Sequence, residues 1–246
     1  MIAYYGELCA KMYESDKSMA EGAELSFYLS YIKDREMKVL EPMCGNGRML
    51  IPFMQNGIEV DGFDISEDML KVCREKAAAL NLKPDIFLEK IEEFKSEKQY
   101  DLIMIPYGSF SLLPDSLVHK SLKNLKNALN EKGKMLLTIV EKNHEIEEVS
   151  EWAETNRKEF GGQTIIEYRK IAYEEETKIL QIKLKYEAIR KGITEKTEMM
   201  DFPIRLYEPG EFEKVLKSSG FNKTAVHEVR DGYGDGQSFP VYECAK

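Results

Sequence analysis

The segment Val39-Leu-Glu-Pro-Met-Cys-Gly-Asn-Gly-Arg-Met-Leu50, read with Val60-Asp-Gly-Phe-Asp-Ile-Ser66, constrains the fold more than any other part of the chain. A short apolar run ends in an acid, Glu41, and enters a tight glycine loop. A helical pattern follows, and a second apolar run ends in Asp64. Glycine lets main chain approach a ligand that a Cβ would hold away. An acid about 20 residues beyond such a loop is placed to accept hydrogen bonds from a ribose diol. The spacing points to an adenosine-binding crevice.

The rest of the chain supports a layered α/β domain. Apolar spacing from about Glu21 to Lys33 predicts a helix, Met37 to Leu40 a buried strand, and Arg48 to Gln55 a helix stopped by Asn56-Gly57. Pro52 lies one turn inside that helix, so a kink or an open backbone hydrogen bond is expected there. Ile58 to Asp64 reads as the second strand, and Ser66 as the cap of a helix that starts Glu67-Asp68. Further strands are expected at Pro84–Glu89, Tyr100–Pro106 and Lys134–Val140, with an amphipathic helix from Pro114 to Asn130. Strands alternating with helices indicate a mainly parallel sheet. From about Gln163 to Ile204 apolar and polar residues alternate instead, as in Ile179-Leu-Gln-Ile-Lys-Leu-Lys-Tyr186, which predicts two or three antiparallel strands. A helix over Pro209–Ser219 and a closing pair of strands, Phe221–Val229 and Ser238–Ala245, complete the reading.

The expected fold is therefore a doubly wound, mainly parallel seven-strand α/β sheet ending in an antiparallel hairpin, with an inserted small antiparallel β-platform. The expected organisation is one domain over 1–246, with an N-terminal helical cap over 1–36 and inserted strands over 163–205. The length of 246 residues is ample for such a core.

Charge and composition narrow the function. The net charge of −9 and the interleaving of lysine with glutamate, as in Glu89-Lys-Ile-Glu-Glu-Phe-Lys95, argue against a nucleic-acid partner. No apolar run approaches a membrane span, and the first residues lack the pattern of a signal peptide. Four scattered cysteines and three dispersed histidines show no metal-ligand spacing, so no metal is expected. Unpaired cysteines suit a reducing compartment, and a cytoplasmic location is expected.

Three glycine-loop chemistries compete. A nucleotide-triphosphate loop needs GxxxxGK[ST], and Gly47 is followed by Arg48. A dinucleotide loop wants a third glycine where Leu50 stands. The third is S-adenosylmethionine. From about Met37 onward the chain resembles the class I, seven-strand S-adenosylmethionine-dependent methyltransferases, small-molecule branch, most densely between Val39 and Leu113. Glu41-Pro-Met-Cys-Gly45-Asn-Gly47 matches that family's acidic strand end and GxGxG loop, with Met43 at the first glycine.

The resemblance implies S-adenosyl-L-methionine as cofactor and S-adenosyl-L-homocysteine as product. It implies that Glu41 orients the methionine amino end, that Gly45 and Gly47 pass under the cofactor beside Met43, and that Asp64 binds both ribose hydroxyls. Ile65 and Met69 are then expected near the adenine. Lys90 stands where the family usually has an acid, so adenine recognition is expected from the backbone around Ile91. Pro106 closes the fourth strand beside the cofactor. The expected reaction is methyl transfer to a nitrogen or oxygen of a small-molecule acceptor by a monomer or homodimer.

Methyl transfer from a sulfonium asks chiefly for alignment of an acceptor lone pair. Tyr107, Ser109 and Phe110, after the fourth strand, are candidates for the acceptor side, with Tyr13 closing the site. His144 is the candidate base, and Arg205 and Tyr207 are candidates for holding an anionic or hydroxylated substrate. Some amino-sugar N-methyltransferases place a histidine near the position of Leu112, so no sugar amine is assigned here. Two alternatives stay open: a non-catalytic cofactor-binding protein and an NAD-dependent oxidoreductase.

Overall fold

The computed structural model describes residues 5–143 and 145–246. In chain order the elements are α1 (Glu7–Asp16), α2 (Gly22–Leu29), β1 (Val39–Pro42), α3 (Leu50–Gln55), β2 (Val60–Asp64), α4 (Glu67–Ala79), β3 (Asp85–Leu88) and β4 (Tyr100–Ile105). Then come α5 (Asp115–Ala128), β5 (Leu129–Leu137), β6 (Val140–Glu141), β7 (Val149–Phe160), β8 (Gln163–Glu174), β9 (Ile179–Arg190), β10 (Ile193–Tyr207), α6 (Glu211–Ser218), β11 (Lys223–Val229) and β12 (Phe239–Ala245).

The main sheet has the order β11-β12-β5-β4-β1-β2-β3. Strands β1 to β5 pair in parallel, and β12 pairs antiparallel with both β5 and β11. Its centre is buried on both faces, which is why β4 reads as an unbroken apolar run. Leu102 and Met104 pack on the side of α3 and α4, whereas Ile103 and Ile105 pack on the side of α5. Val118, Leu122 and Leu125 recur on one stripe of α5 and face that second layer. Fully burying each such side chain contributes roughly 1.5–3 kcal/mol.

Local chemistry sets the element ends. Ser66 caps α4 by accepting the Met69 amide at 3.1 Å. Pro52 sits in the first turn of α3, and the helix runs on through Gln55. The hydrogen bond that Pro52 cannot donate is replaced from outside, because Ala20 N donates to the Arg48 carbonyl at 2.8 Å. The expected open backbone bond thus becomes a tie between the N-terminal region and the glycine loop.

The antiparallel sheet is larger than the alternation pattern suggested. It has the order β6-β10-β9-β8-β7: four long antiparallel strands that begin at Val149 rather than Gln163, where two or three were expected, and the two-residue β6, which pairs in parallel with β10. Strand β7, rich in charge and without a fully buried residue, carries little of the apolar alternation that reveals a strand. On the inner face Ile165, Leu184, Tyr186, Ala188 and Met200 pack against Leu8, Cys9 and Met12 of α1. Among the described residues no helix is long and apolar enough to cross a membrane.

Candidate active site

The carboxyl ends of β1 and β2 lie side by side, with Glu41 in register with Gly62 and Asp64 just beyond. Ligands of open α/β sheets bind at such strand ends. A cavity of about 230 Å³ opens there, and its walls include Glu41, Met43, Gly45, Asp64, Ile65, Met69, Ile91 and Pro106.

The two glycines of the loop do different work. Gly45 has φ +53° and lines the cavity, where an added Cβ would stand 3.1 Å from Met69 Cε. Gly47 is absent from the cavity wall. A Cβ there would come within 2.5 Å of Cys73 Sγ, so Gly47 lets the loop pack on α4. Of the two glycines, Gly45 faces the cavity and Gly47 faces α4. Leu50, at the third-glycine position of a dinucleotide loop, also finds room by an exchange. Gly62 on β2 makes the space, since a Cβ there would meet Leu50 Cδ1 at 2.7 Å. Met43 holds φ +57° without being glycine, a backbone cost of roughly 1–2 kcal/mol stored at the cavity wall.

Two carboxylates dominate the cavity. Asp64 is buried, and its oxygens accept the Gly45 amide at 2.9 Å and the Ser66 amide at 2.8 Å. Burial pushes its carboxyl up, opposed by these backbone amides. Each oxygen keeps acceptor capacity for a further donor. Glu41 is 2% exposed, and its Oε2 has no hydrogen-bond partner among the described residues. Burial raises its carboxyl well above the usual range, while the Arg48 guanidinium pulls it back. A buried oxygen without a donor is costly unless a ligand supplies one. Arg48 lines the same cavity and is gripped by the fully buried Glu24 at 2.9 Å and 2.5 Å.

A second cavity of about 330 Å³ lies between α1 and the inner face of the antiparallel sheet. Tyr5, Tyr13, Tyr107, Ser109 and Leu112 line both cavities and so form the junction. Tyr107 and Gly108 both have positive φ, which turns the chain sharply after β4 and delivers Tyr107 to this point. Its ring lies 4.2 Å from Lys17 Nζ and 4.5 Å from the Arg48 guanidinium, and meets the Tyr233 ring edge-on at 4.9 Å. Burial pushes the Tyr13 hydroxyl up to about 12.

Of the residues expected on the acceptor side, Tyr13, Tyr107 and Ser109 meet at the junction. Three others lie elsewhere. Phe110 is fully buried against Phe212, with ring centroids 5.8 Å apart, as a core residue. Arg205 is held in an internal network by Asp115 at 3.1 Å and Glu211 at 2.6 Å, which leaves it no free fork for substrate. Tyr207 is 2% exposed and packs on Phe212 in the core. His144 lies outside the described residues.

None of the sequence motifs singled out Tyr5, Lys17, Arg48, Glu167 or Arg169, which line the cavities, or Glu24 and Tyr233, which contact Arg48 and Tyr107. Arg48 carried a signal, since a cation directly after the glycine loop faces whatever the loop holds. The others come from elements distant in sequence, and no local pattern marks them.

Comparison with known proteins agrees with this geometry. Residues 39–133 match the methyltransferase domain family. A protein of Geobacillus sp. bearing a provisional methyltransferase name is 26% identical over 110 residues, 44% of each chain. The similarly named YqeM of Bacillus subtilis is 25% identical over 133 residues, 53% of each chain. The chain therefore matches about half the length of these curated relatives. Among solved structures, an S-adenosylmethionine-dependent methyltransferase from Clostridium acetobutylicum superposes with a TM-score of 0.73 at 16% identity, covering 96% of both chains. The sugar N-methyltransferase KedS8 from Streptoalloteichus sp. gives 0.74 at 13% identity, covering 100% of this chain and 94% of its own. The glycopeptide N-methyltransferase MtfA gives 0.61 at 20% identity, covering 92% of this chain and 90% of its own.

Proposed function

We propose that this chain, which carries a methyltransferase domain and has the class I S-adenosylmethionine-dependent methyltransferase fold, transfers a methyl group to a small-molecule acceptor. The observation that carries the reading is the unsatisfied Oε2 of the buried Glu41, beside Arg48 and within one cavity with Asp64. This donor set fits the cofactor. Glu41 would hold the methionine ammonium and Asp64 the ribose hydroxyls. When bound, the cofactor supplies an electrophilic methyl group on a sulfonium. A dinucleotide fits less well, because Leu50 stands at the start of the helix that would face its pyrophosphate.

The junction residues orient the acceptor and exclude water. With its hydroxyl pushed up to about 12, Tyr13 stays protonated at neutral pH and acts as a hydrogen-bond donor rather than a base. Among the described residues, the five shared by the two cavities, Tyr5, Tyr13, Tyr107, Ser109 and Leu112, include no carboxylate and no imidazole. A hydroxyl acceptor must surrender its proton to something, whereas a neutral amine presents its lone pair directly. Nitrogen is therefore the first acceptor atom to test. The structural likeness to a sugar N-methyltransferase and a glycopeptide N-methyltransferase supports that order.

The test is transfer of labelled methyl from S-adenosylmethionine to a panel of small amines and alcohols. Transfer to an amine, reduced in Tyr107→Ala, supports the reading. Tight cofactor binding with no transfer to any member would favour a non-catalytic cofactor-binding protein.

A further inference from the structure

The second cavity carries a charge arrangement that methyl transfer as such does not require. Lys17 stands at its mouth as the C-cap of α1, and its position is fixed at both ends. Its carbonyl accepts Asn46 Nδ2 at 3.1 Å, from the residue between the two loop glycines. Its ammonium lies over the Tyr107 ring at 4.2 Å, at the junction of the two cavities. The two arginines whose charge acts on it are each paired with an acid. Arg48 is paired with Glu24, and Arg169 with Glu167 at 2.7 Å.

The nearby acids are all committed to other partners. Glu14 accepts from Lys76 at 3.0 Å and from Asn46 at 2.6 Å, while Asp16 pairs with Lys158 and accepts Asn156 at 2.7 Å. Glu167 is taken by Arg169, by Thr155 at 2.8 Å and by Tyr186 at 2.9 Å. Among the described residues no carboxylate lies within ion-pair distance of Lys17. Partial desolvation lowers its ammonium, and repulsion from Arg48 and Arg169 adds to this, although Asp16 and Glu167 oppose it.

Glu167 is held by Arg169 and Asp16 by Lys158, so the Lys17 ammonium is left without an ion-pair partner among the described residues, in a chain of net charge −9 and next to the place where the proposed cofactor would bring a further positive charge. Such crowding is unfavourable unless a bound anion relieves it. The remaining wall is apolar, with Val140, Ile182, Leu184 and Phe202.

We infer that the methyl acceptor carries an anionic group, a carboxylate or a phosphate, that Lys17 holds at the mouth of the cavity beside Tyr107. This rests on the proposed methyltransferase reading and adds a specificity residue to it. Lys17 sets which acceptors bind and takes no part in bond making.

Two measurements test it, both on the full chain loaded with S-adenosylhomocysteine, whose binding is first established by calorimetry. In the first, lysines are reductively methylated with a carbon-13 label, and acetate or inorganic phosphate is added while the Lys17 resonance, assigned with Lys17→Arg, is followed by NMR. The Lys17 signal is expected to shift saturably with one of the two anions, which identifies carboxylate or phosphate as the source. An unmoved Lys17 signal with both anions would overturn the inference while leaving cofactor binding intact.

In the second, labelled methyl transfer is compared for matched acceptor pairs, carboxylate against carboxamide and phosphate ester against alcohol. Turnover is expected for charged members. Lys17→Gln should raise KM about tenfold with kcat within about twofold, the pattern of a lost ground-state contact, and Lys17→Arg should restore it. Equal use of neutral members, or an unchanged KM in Lys17→Gln, would contradict the inference. Absence of S-adenosylhomocysteine binding would instead defeat the underlying methyltransferase reading.

Discussion

The two cavities that meet at Tyr107 are built in opposite ways. The proposed cofactor side takes most of its wall from one continuous stretch, Glu41 to Ile91, at and beyond the carboxyl ends of β1, β2 and β3. The proposed acceptor side is assembled from α1, the turn after β4 and four strands of the second sheet, β6, β8, β9 and β10, which are brought together only by packing. A binding surface written in one segment tolerates little change, because each loop residue answers both to the ligand and to the layer beneath. A surface shared among several elements can vary one residue at a time. That arrangement suits a fixed cofactor facing a changeable acceptor.

Glycine substitution separates the two regions most strongly. Gly47→Ala should lower unfolding free energy by about 3 kcal/mol, combining the left-handed backbone with overpacking against Cys73. Gly192→Ala, in the hairpin between β9 and β10, has φ +77° and no atom within 4 Å of an added Cβ. It should cost about 1 kcal/mol. Urea unfolding of both variants measures the contrast, and equal losses would show that the cofactor loop is no more tightly packed than an exposed turn.

Ligand affinity gives the next contrast. Asp64→Ala should weaken S-adenosylmethionine binding by roughly 1–3 kcal/mol, the cost of unpaired ribose hydroxyls. Glu167→Gln, in the acceptor cavity, should leave that affinity unchanged when both variants are titrated calorimetrically. A loss in Glu167→Gln as large as that in Asp64→Ala would merge the two cavities into one site.

Glu41 allows a prediction with a sign in pH. Its carboxyl is raised above 4.5 in the folded state by burial, so the native protein binds the proton more tightly than the unfolded chain. The stability this contributes is complete below about pH 4.5 and is lost as pH rises through the folded value. Ligand-free Glu41→Gln should therefore be more stable than wild type at neutral pH, and the gain should vanish toward pH 4.5. It should also bind S-adenosylmethionine more weakly. Thermal unfolding across pH checks the first part, and a gain that grows on acidification would contradict it. The smallest expected effect is that of Met43→Gly. It relieves a left-handed non-glycine residue but frees the unfolded chain, for a net change below about 1 kcal/mol.

This contrast also explains what the sequence revealed. The parallel core was legible because buried strands and their caps are local patterns, and Glu41, Gly45 and Asp64 are close together in the chain. The task of Gly47 was hidden, because the atom that demands a glycine there is Cys73 on another helix. Arg205 looked available for substrate because Asp115, its partner, is 90 residues away. Phe110 and Tyr207 follow segments that lead to the site, yet their side chains turn into the core. Strand β7 escaped because its alternation is mostly polar on both faces.

The central claim is that Glu41, Gly45 and Asp64 form the binding site for S-adenosylmethionine. Calorimetric titration of S-adenosylhomocysteine into the wild-type chain and into Asp64→Ala tests it most directly. Saturable binding of one ligand per chain, weakened about tenfold or more in the variant, is the predicted result. No heat of binding at millimolar ligand, or equal affinity in both proteins, would contradict the account.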